Sequence, residues 1–97
     1  ENFSDSTSTG VSLVDLYADW CGPCKIMAPA IDKLATSYTE KAKVGKLNVD
    51  ESQITAGKMG VTSIPTVVIF KNGQEVERFV GVQTEENLSR VLDKHLE

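Results

Sequence analysis

The stretch Trp20-Cys21-Gly22-Pro23-Cys24 decides how the rest of the chain is read. It holds both cysteines of the chain, separated only by a Gly-Pro spacer. An apolar run, Val11-Ser12-Leu13-Val14-Asp15-Leu16-Tyr17-Ala18, comes directly before it, and a helical pattern comes directly after. A dithiol that ends a strand and opens a helix is a redox centre by geometry. Helix N–H groups point at the first thiol and favour its thiolate. The second thiol lies one helical turn further in, close enough to close a disulfide.

Bulk properties narrow the field around that motif. The 97 residues make one domain, 1–97, with a modest core in which each buried apolar residue matters. A net charge of −4 with no Lys/Arg cluster argues against nucleic acid as a partner. No apolar run approaches membrane-spanning length, so no membrane partner is expected. Two cysteines cannot form a stapling framework, and a loop closed between Cys21 and Cys24 constrains little of the unfolded chain. Their pairing therefore serves chemistry more than stability. A zinc site would need two more ligands, and the only other soft candidate is His95, near the far end. No metal and no cofactor are expected. The chain starts at Glu1, without Met or an apolar targeting stretch, and that start says little about location. The motif favours a reducing compartment, hence the cytoplasm.

Outward from the motif, the periodicity predicts an α/β order. Residues 1–10 are mostly small and polar, with Phe3 as the one core anchor, a short or frayed helix as an option, and Gly10 as the end. Val11–Ala18 reads as a buried strand. Cys24–Tyr38 reads as a helix, with Met27, Ile31, Leu34 and Tyr38 on one face and a kink expected at Pro29. Lys43–Asp50 is a second strand, and Glu51–Met59 a short helix stopped by Gly60. Thr66–Phe70 and Glu75–Val80 are strands joined by the hairpin signal Asn72-Gly73. Thr84 caps a terminal amphipathic helix carrying Leu88, Val91, Leu92 and Leu96. A βαβ unit gives parallel strands, and the hairpin adds antiparallel ones. The expected fold is a mixed central sheet with helices on both faces.

These residues resemble the thioredoxin family. The resemblance rests on Leu13-Val14-Asp15, Trp20 to Lys25, Ala28-Pro29, Lys46-Leu47-Asn48-Val49-Asp50, Ser63-Ile64-Pro65-Thr66, Phe70-Lys71-Asn72-Gly73 and Val80-Gly81. They keep the family's order from Asp15 to the C-terminus. Tyr17 stands where the family usually has Trp. The family also begins with another strand, which would lie before Glu1. Without it, the sheet keeps four strands and Val44–Val49 loses its edge cover.

The resemblance implies a thioredoxin fold and a general protein-disulfide reductase. Cys21 is the expected nucleophile. A free cysteine has a pKa of about 8.5, lowered to roughly 3.5–7.5 in such settings, thioredoxin being a known instance. Cys24 then resolves the mixed disulfide. Gly22 and Pro23 let a partner's backbone approach the sulfur, and Pro23 also suits a first helical turn. Asp15 interrupts a strand that should be covered on both faces, where burial raises a carboxyl pKa. By resemblance it accepts or relays the proton of Cys24; the plain alternative is a strand-end Asp that reaches solvent. Lys46 either approaches Asp15, as the resemblance implies, or is a solvated strand lysine. The resemblance also implies a cis peptide at Ile64-Pro65 facing the disulfide, with the Ile64 backbone free to pair with a substrate strand. Trp20, Ile64, Val80, Gly81 and Val82 should line an apolar apron around Cys21; plain core is the stronger reading for Val80 and the weaker one for Trp20, which can as easily be an amphipathic rim.

Thioredoxin reductase and proteins with reducible disulfides are the partners implied, and a monomer is expected. Two competing readings remain open: a disulfide oxidase or isomerase, against which the Gly-Pro spacer argues, and a non-catalytic binding module whose redox state modulates a partner complex.

Overall fold

The computed structural model describes residues 7–97; Phe3 lies outside the described residues. Strand β1, Val11–Tyr17, occupies the interior of the sheet because both its faces are apolar. It pairs in parallel with β2, Lys43–Asn48, and antiparallel with β3, Thr66–Lys71. Strand β4, Gln74–Val80, adds antiparallel to β3, so the order is β2-β1-β3-β4. This is the mixed sheet expected from a crossover followed by a hairpin.

Side-chain alternation assigns the two faces. Val11 and Leu13 of β1, with Val67 and Ile69 of β3, point toward helices α1, Gly22–Ser37, and α3, Glu85–Leu96. There they pack with Met27, Ile31, Leu34, Tyr38, Leu88 and Leu92. Val14 and Leu16, with Val68 and Phe70, point the other way, against Ala56 of helix α2, Gln53–Lys58, and the Met59 and Val61 that follow it. Asp15 shares the parity of Leu13, so its carboxyl is directed to the face that α1 covers.

Several boundaries differ from the periodicity, each for a local reason. Helix α1 begins at Gly22 and not at Cys24, because extended Cys21 (φ −89°, ψ 110°) is its N-cap and Pro23 fits the first turn. Pro29 lies inside the helix, which continues to Ser37 with Met27, Ile31 and Leu34 buried. Strand β1 stops at Tyr17, one residue early. Strand β2 stops at Asn48, whose Oδ1 accepts from the N–H groups of Asp50 (2.9 Å) and Glu51 (3.3 Å) and turns the chain. Helix α2 is shorter at both ends than expected, and Gly60 follows it at φ +70°. Asn72 and Gly73 both have positive φ, as the tight hairpin turn requires. Ile69 faces Glu77 while Phe70 faces Glu75, so Val76 is a bulge in β4. Thr84 caps α3, its Oγ1 accepting from the Asn87 N–H at 3.0 Å.

Among the described residues β2 is an edge strand, with Val44 and Leu47 half-buried and Gly45 exposed. No described helix is long and apolar enough to cross a membrane.

Candidate active site

The site begins where β1 ends. Tyr17 is the last strand residue, and the Cys21 N–H donates back to the Ala18 carbonyl at 3.2 Å, closing a turn that aims the chain into α1. Cys21 and Cys24 are joined by a disulfide, with their Cα atoms 5.3 Å apart. The Cys24 N–H donates to Cys21 Sγ at 3.2 Å. That contact is the sulfur equivalent of an N-cap: a free helix N–H is satisfied by the side chain at the cap position. It favours negative charge on the same atom when the pair is reduced.

Both cysteines are buried, at 4% and 3% exposure, in a cluster with Ala18 that Tyr17, Val49 and Ile64 border. Cys21 is thus more covered than a rim nucleophile would suggest. Gly22 and Pro23 beside it are exposed, and nothing stands within 4 Å of where a Cβ on Gly22 would be.

Beneath the cysteines lies a cleft of about 120 Å³ lined by Asp15, Tyr17, Ala18, Cys24, Ala28 and Lys46, among others. Asp15 is 1% exposed, which removes the reading of a strand-end carboxylate in solvent. Its Oδ1 has no hydrogen-bond partner among the described residues. Burial pushes its pKa up to about 6; nearby Lys46 pulls it down, and Asp32 pushes it up. Lys46 is the Cα partner of Asp15 across the parallel β1–β2 pair. Its ammonium nevertheless bonds Asp32 Oδ1 at 3.3 Å and stands 5.9 Å from the centre of the Tyr17 ring. Both readings of Lys46 hold in part: it borders the cleft and remains over a third exposed.

The residues expected to form the apron differ in exposure. Trp20 is 70% exposed, and its indole N–H donates to Asp50 Oδ2 at 2.7 Å. Val80 is 63% exposed, so the plain-core reading of that residue is corrected: it is the last residue of β4, at an end of the strand left uncovered. Val82 is also exposed. Gly81, at φ +100°, donates its N–H to the Pro65 carbonyl at 2.8 Å, which joins the two loops. Only glycine adopts that backbone without strain. The Ile64-Pro65 peptide is cis, Pro65 is buried, and Ile64 packs on the cysteine cluster. Val82 is anchored from the next residue, whose N–H donates to Met27 Sδ of α1 at 3.4 Å.

Two residues of this arrangement escaped the sequence reading. Asp32 carried one signal: Cys24, Ala28 and Asp32 follow at steps of four along one stripe of α1. Nothing in the run Lys46 to Asp50 says that Asp50 meets Trp20, 30 residues away in the chain. Among the described residues no group of three or more His, Cys, Asp or Glu could hold a metal ion. His95 is engaged instead with Glu77, at 2.9 Å.

Comparison with known proteins agrees with this geometry. The sequence model of the thioredoxin family matches residues 1–94. Thioredoxin of Staphylococcus saprophyticus is 52% identical over 95 residues, covering 98% of this chain and 91% of that one. Thioredoxin of Staphylococcus haemolyticus is 53% identical over the same shares. Among solved structures, a mutant thioredoxin from Halobacterium salinarum superposes with a TM-score of 0.90 at 42% identity, covering 97% of this chain and 82% of that one. Malassezia sympodialis thioredoxin gives 0.85 at 37% identity, with 98% and 84% covered.

Proposed function

The chain belongs to the thioredoxin family and is a protein-disulfide oxidoreductase with a redox-active cysteine pair, and we propose how the residues around that pair divide the work. In the reduced protein the Cys21 thiolate attacks one sulfur of a substrate disulfide. The substrate S–S bond breaks, its other sulfur leaves as a thiolate, and a mixed disulfide forms at Cys21. Cys24 then loses its thiol proton to the Asp15 carboxylate and attacks Cys21 Sγ. The second substrate sulfur is expelled, the substrate is left as a dithiol, and the Cys21–Cys24 disulfide remains.

The single observation that carries this reading is the capping contact. The Cys24 N–H reaches Cys21 Sγ, which singles out Cys21 as the sulfur whose negative charge is favoured. Cys24, on the cleft above the unpaired Asp15, is the sulfur with a base beneath it. With a pKa near 6, Asp15 is ionised at neutral pH yet basic enough to take a proton. Lys46 tempers the charge that Asp15 carries.

Gly22 and Pro23 admit the substrate backbone, and exposed Trp20, Val80 and Val82 offer an apolar surface that reads little sequence. Ile64, Pro65 and Gly81 complete that surface, with the Ile64 backbone pairing to an extended substrate segment. Electrons come from thioredoxin reductase, the protein works as a monomer, and its place is the cytoplasm, where such pairs are kept reduced.

Trapping tests the reading directly. Cys24→Ser should accumulate mixed disulfides with many proteins through Cys21, and Cys21→Ser should accumulate none. A single stoichiometric partner would instead mark a binding module. The reduction potential should lie below that of the glutathione pool; a more oxidising value would make the protein an oxidase. Asp15→Asn should slow release of the mixed disulfide at neutral pH.

A further inference from the structure

Lys46 is oddly placed for a residue beside a buried carboxylate. The β1–β2 register sets it directly opposite Asp15, and it lines the same cleft. An ammonium so close to a buried, unpaired carboxylate would ordinarily pair with it, because an isolated buried charge is costly. Among the described residues Asp15 Oδ1 has no partner, and Lys46 Nζ is 3.3 Å from Asp32 Oδ1. The Tyr17 ring, 5.9 Å from Nζ and on the same cleft, gives the ammonium a second contact besides Asp32. Asp32 reaches this spot because it follows Cys24 and Ala28 at steps of four on α1.

We propose that Asp32 is a positioning residue for thiol–disulfide exchange: it draws the Lys46 ammonium to the mouth of the cleft and leaves the Asp15 carboxyl unpaired within, free to take the proton of Cys24. This rests on the reading of Asp15 as the proton acceptor. Drawn fully onto Asp15, the ammonium would stabilise the carboxylate and make it a poor base. Held by Asp32, it tempers the charge without pairing with it. The direct field of Asp32 acts in the same direction, raising the pKa of Asp15.

The other groups around Asp15 do not replace this device. Strand β1 and its loop bring Tyr17 and Asp19, and α1 brings Cys24 and Lys25. Strand β3 presents only apolar Val67 opposite Asp15. Lys46 is thus the cation that β2 delivers, and Asp32 is the anion that holds it.

The test is a carbon-13 NMR titration of the Asp15 carboxyl in the oxidised protein. With Asp32→Asn the midpoint should fall by about half to one pH unit, since the ammonium is released toward Asp15. Asp32→Glu, which keeps an anion on the same stripe, should restore most of the original midpoint. In a Lys46→Gln background the Asp32→Asn shift should shrink to less than about half, because no ammonium is left to move. The acid limb of the rate at which Cys24 resolves a Cys21 mixed disulfide should move to lower pH with Asp32→Asn. An unmoved or raised midpoint would overturn the proposal. An undiminished shift in the Lys46→Gln background would also overturn it, by reducing Asp32 to a through-space charge. Failure of the Asp15 reading is separable: Asp15→Asn would then leave the resolution rate untouched while the titration shifts persist.

Discussion

Asp15 is a residue whose chemistry opposes its fold. Its folded pKa of about 6 lies above the unfolded value of 3.8, so the native state binds more protons than the unfolded chain between those values. Stability therefore falls as pH rises through that window, and above it the ionised, buried carboxylate is a standing cost. A gap of about two units corresponds to about 3 kcal/mol. Asp15→Asn should accordingly stabilise the oxidised protein by up to about 3 kcal/mol at pH 8 and by almost nothing at pH 3. Urea unfolding at both pH values checks this; equal gains at the two would detach the effect from ionisation. The oddity of Asp15 was legible, because a lone carboxylate inside an apolar strand has few innocent explanations. Its setting was not. The tether of Lys46 depends on where a flexible side chain rests, and Asp32 looks like any exposed helix residue until the helix is laid on the sheet. Val80 was read both as core and as rim, since alternation within β4 does not say where the strand outruns the helix that covers it.

Between elements, the outer strand β4 is clamped to α3 by charge. Glu77 receives Lys94 at 2.7 Å and His95 at 2.9 Å, and its side chain is 24% exposed. Hydrogen bonds from Lys94 and His95 hold the Glu77 carboxyl below its usual pKa. For a depressed carboxyl the stabilisation is present above the unfolded pKa of 4.5 and is lost as pH falls through the lower folded value. Glu77→Gln should cost up to about 1 kcal/mol at pH 7, and the difference from the parent should fade below pH 4. Salt should weaken the effect, and a loss that ignores both salt and acid would assign it to packing. Elements of this kind were mostly readable from sequence: among the described residues each strand and helix from β1 to α3 lies where periodicity put it, and Asn72-Gly73, Gly60 and Thr84 mark their ends by turn and cap chemistry. The errors lie at boundaries governed by side-chain hydrogen bonds, such as Asn48 ending β2 and Cys21 capping α1. The bulge at Val76 left no trace, because one extra residue in an exposed strand does not disturb an apolar pattern.

At the scale of the molecule, stability and chemistry occupy different parts of one face. The large cluster under α1 and α3 lies toward the middle and C-terminal end of α1, through Met27, Ile31, Leu34 and Tyr38. The cysteine cluster at the N-terminus of α1 is small and separate, made of Ala18, Cys21 and Cys24 with a half-buried border. The four-residue disulfide loop constrains only a short piece of the unfolded chain, so the large cluster carries the greater share of the stability. A cycling dithiol needs that share to lie elsewhere, since the same scaffold must hold both states. Leu92 of α3 is fully buried in the large cluster and has no part in the small one. Leu92→Ala should therefore cost about 2–5 kcal/mol in urea unfolding, the range for a leucine whose cavity does not collapse. The rate of disulfide reduction by the folded fraction should stay within about twofold of the parent, because no group that touches the sulfurs moves its partner. The two measurements belong together on one protein preparation, with the rate taken well below the unfolding midpoint. A variant that keeps its stability but loses exchange would mean that α3 reaches the sulfurs through α1, and the separation of core from site would have to be given up.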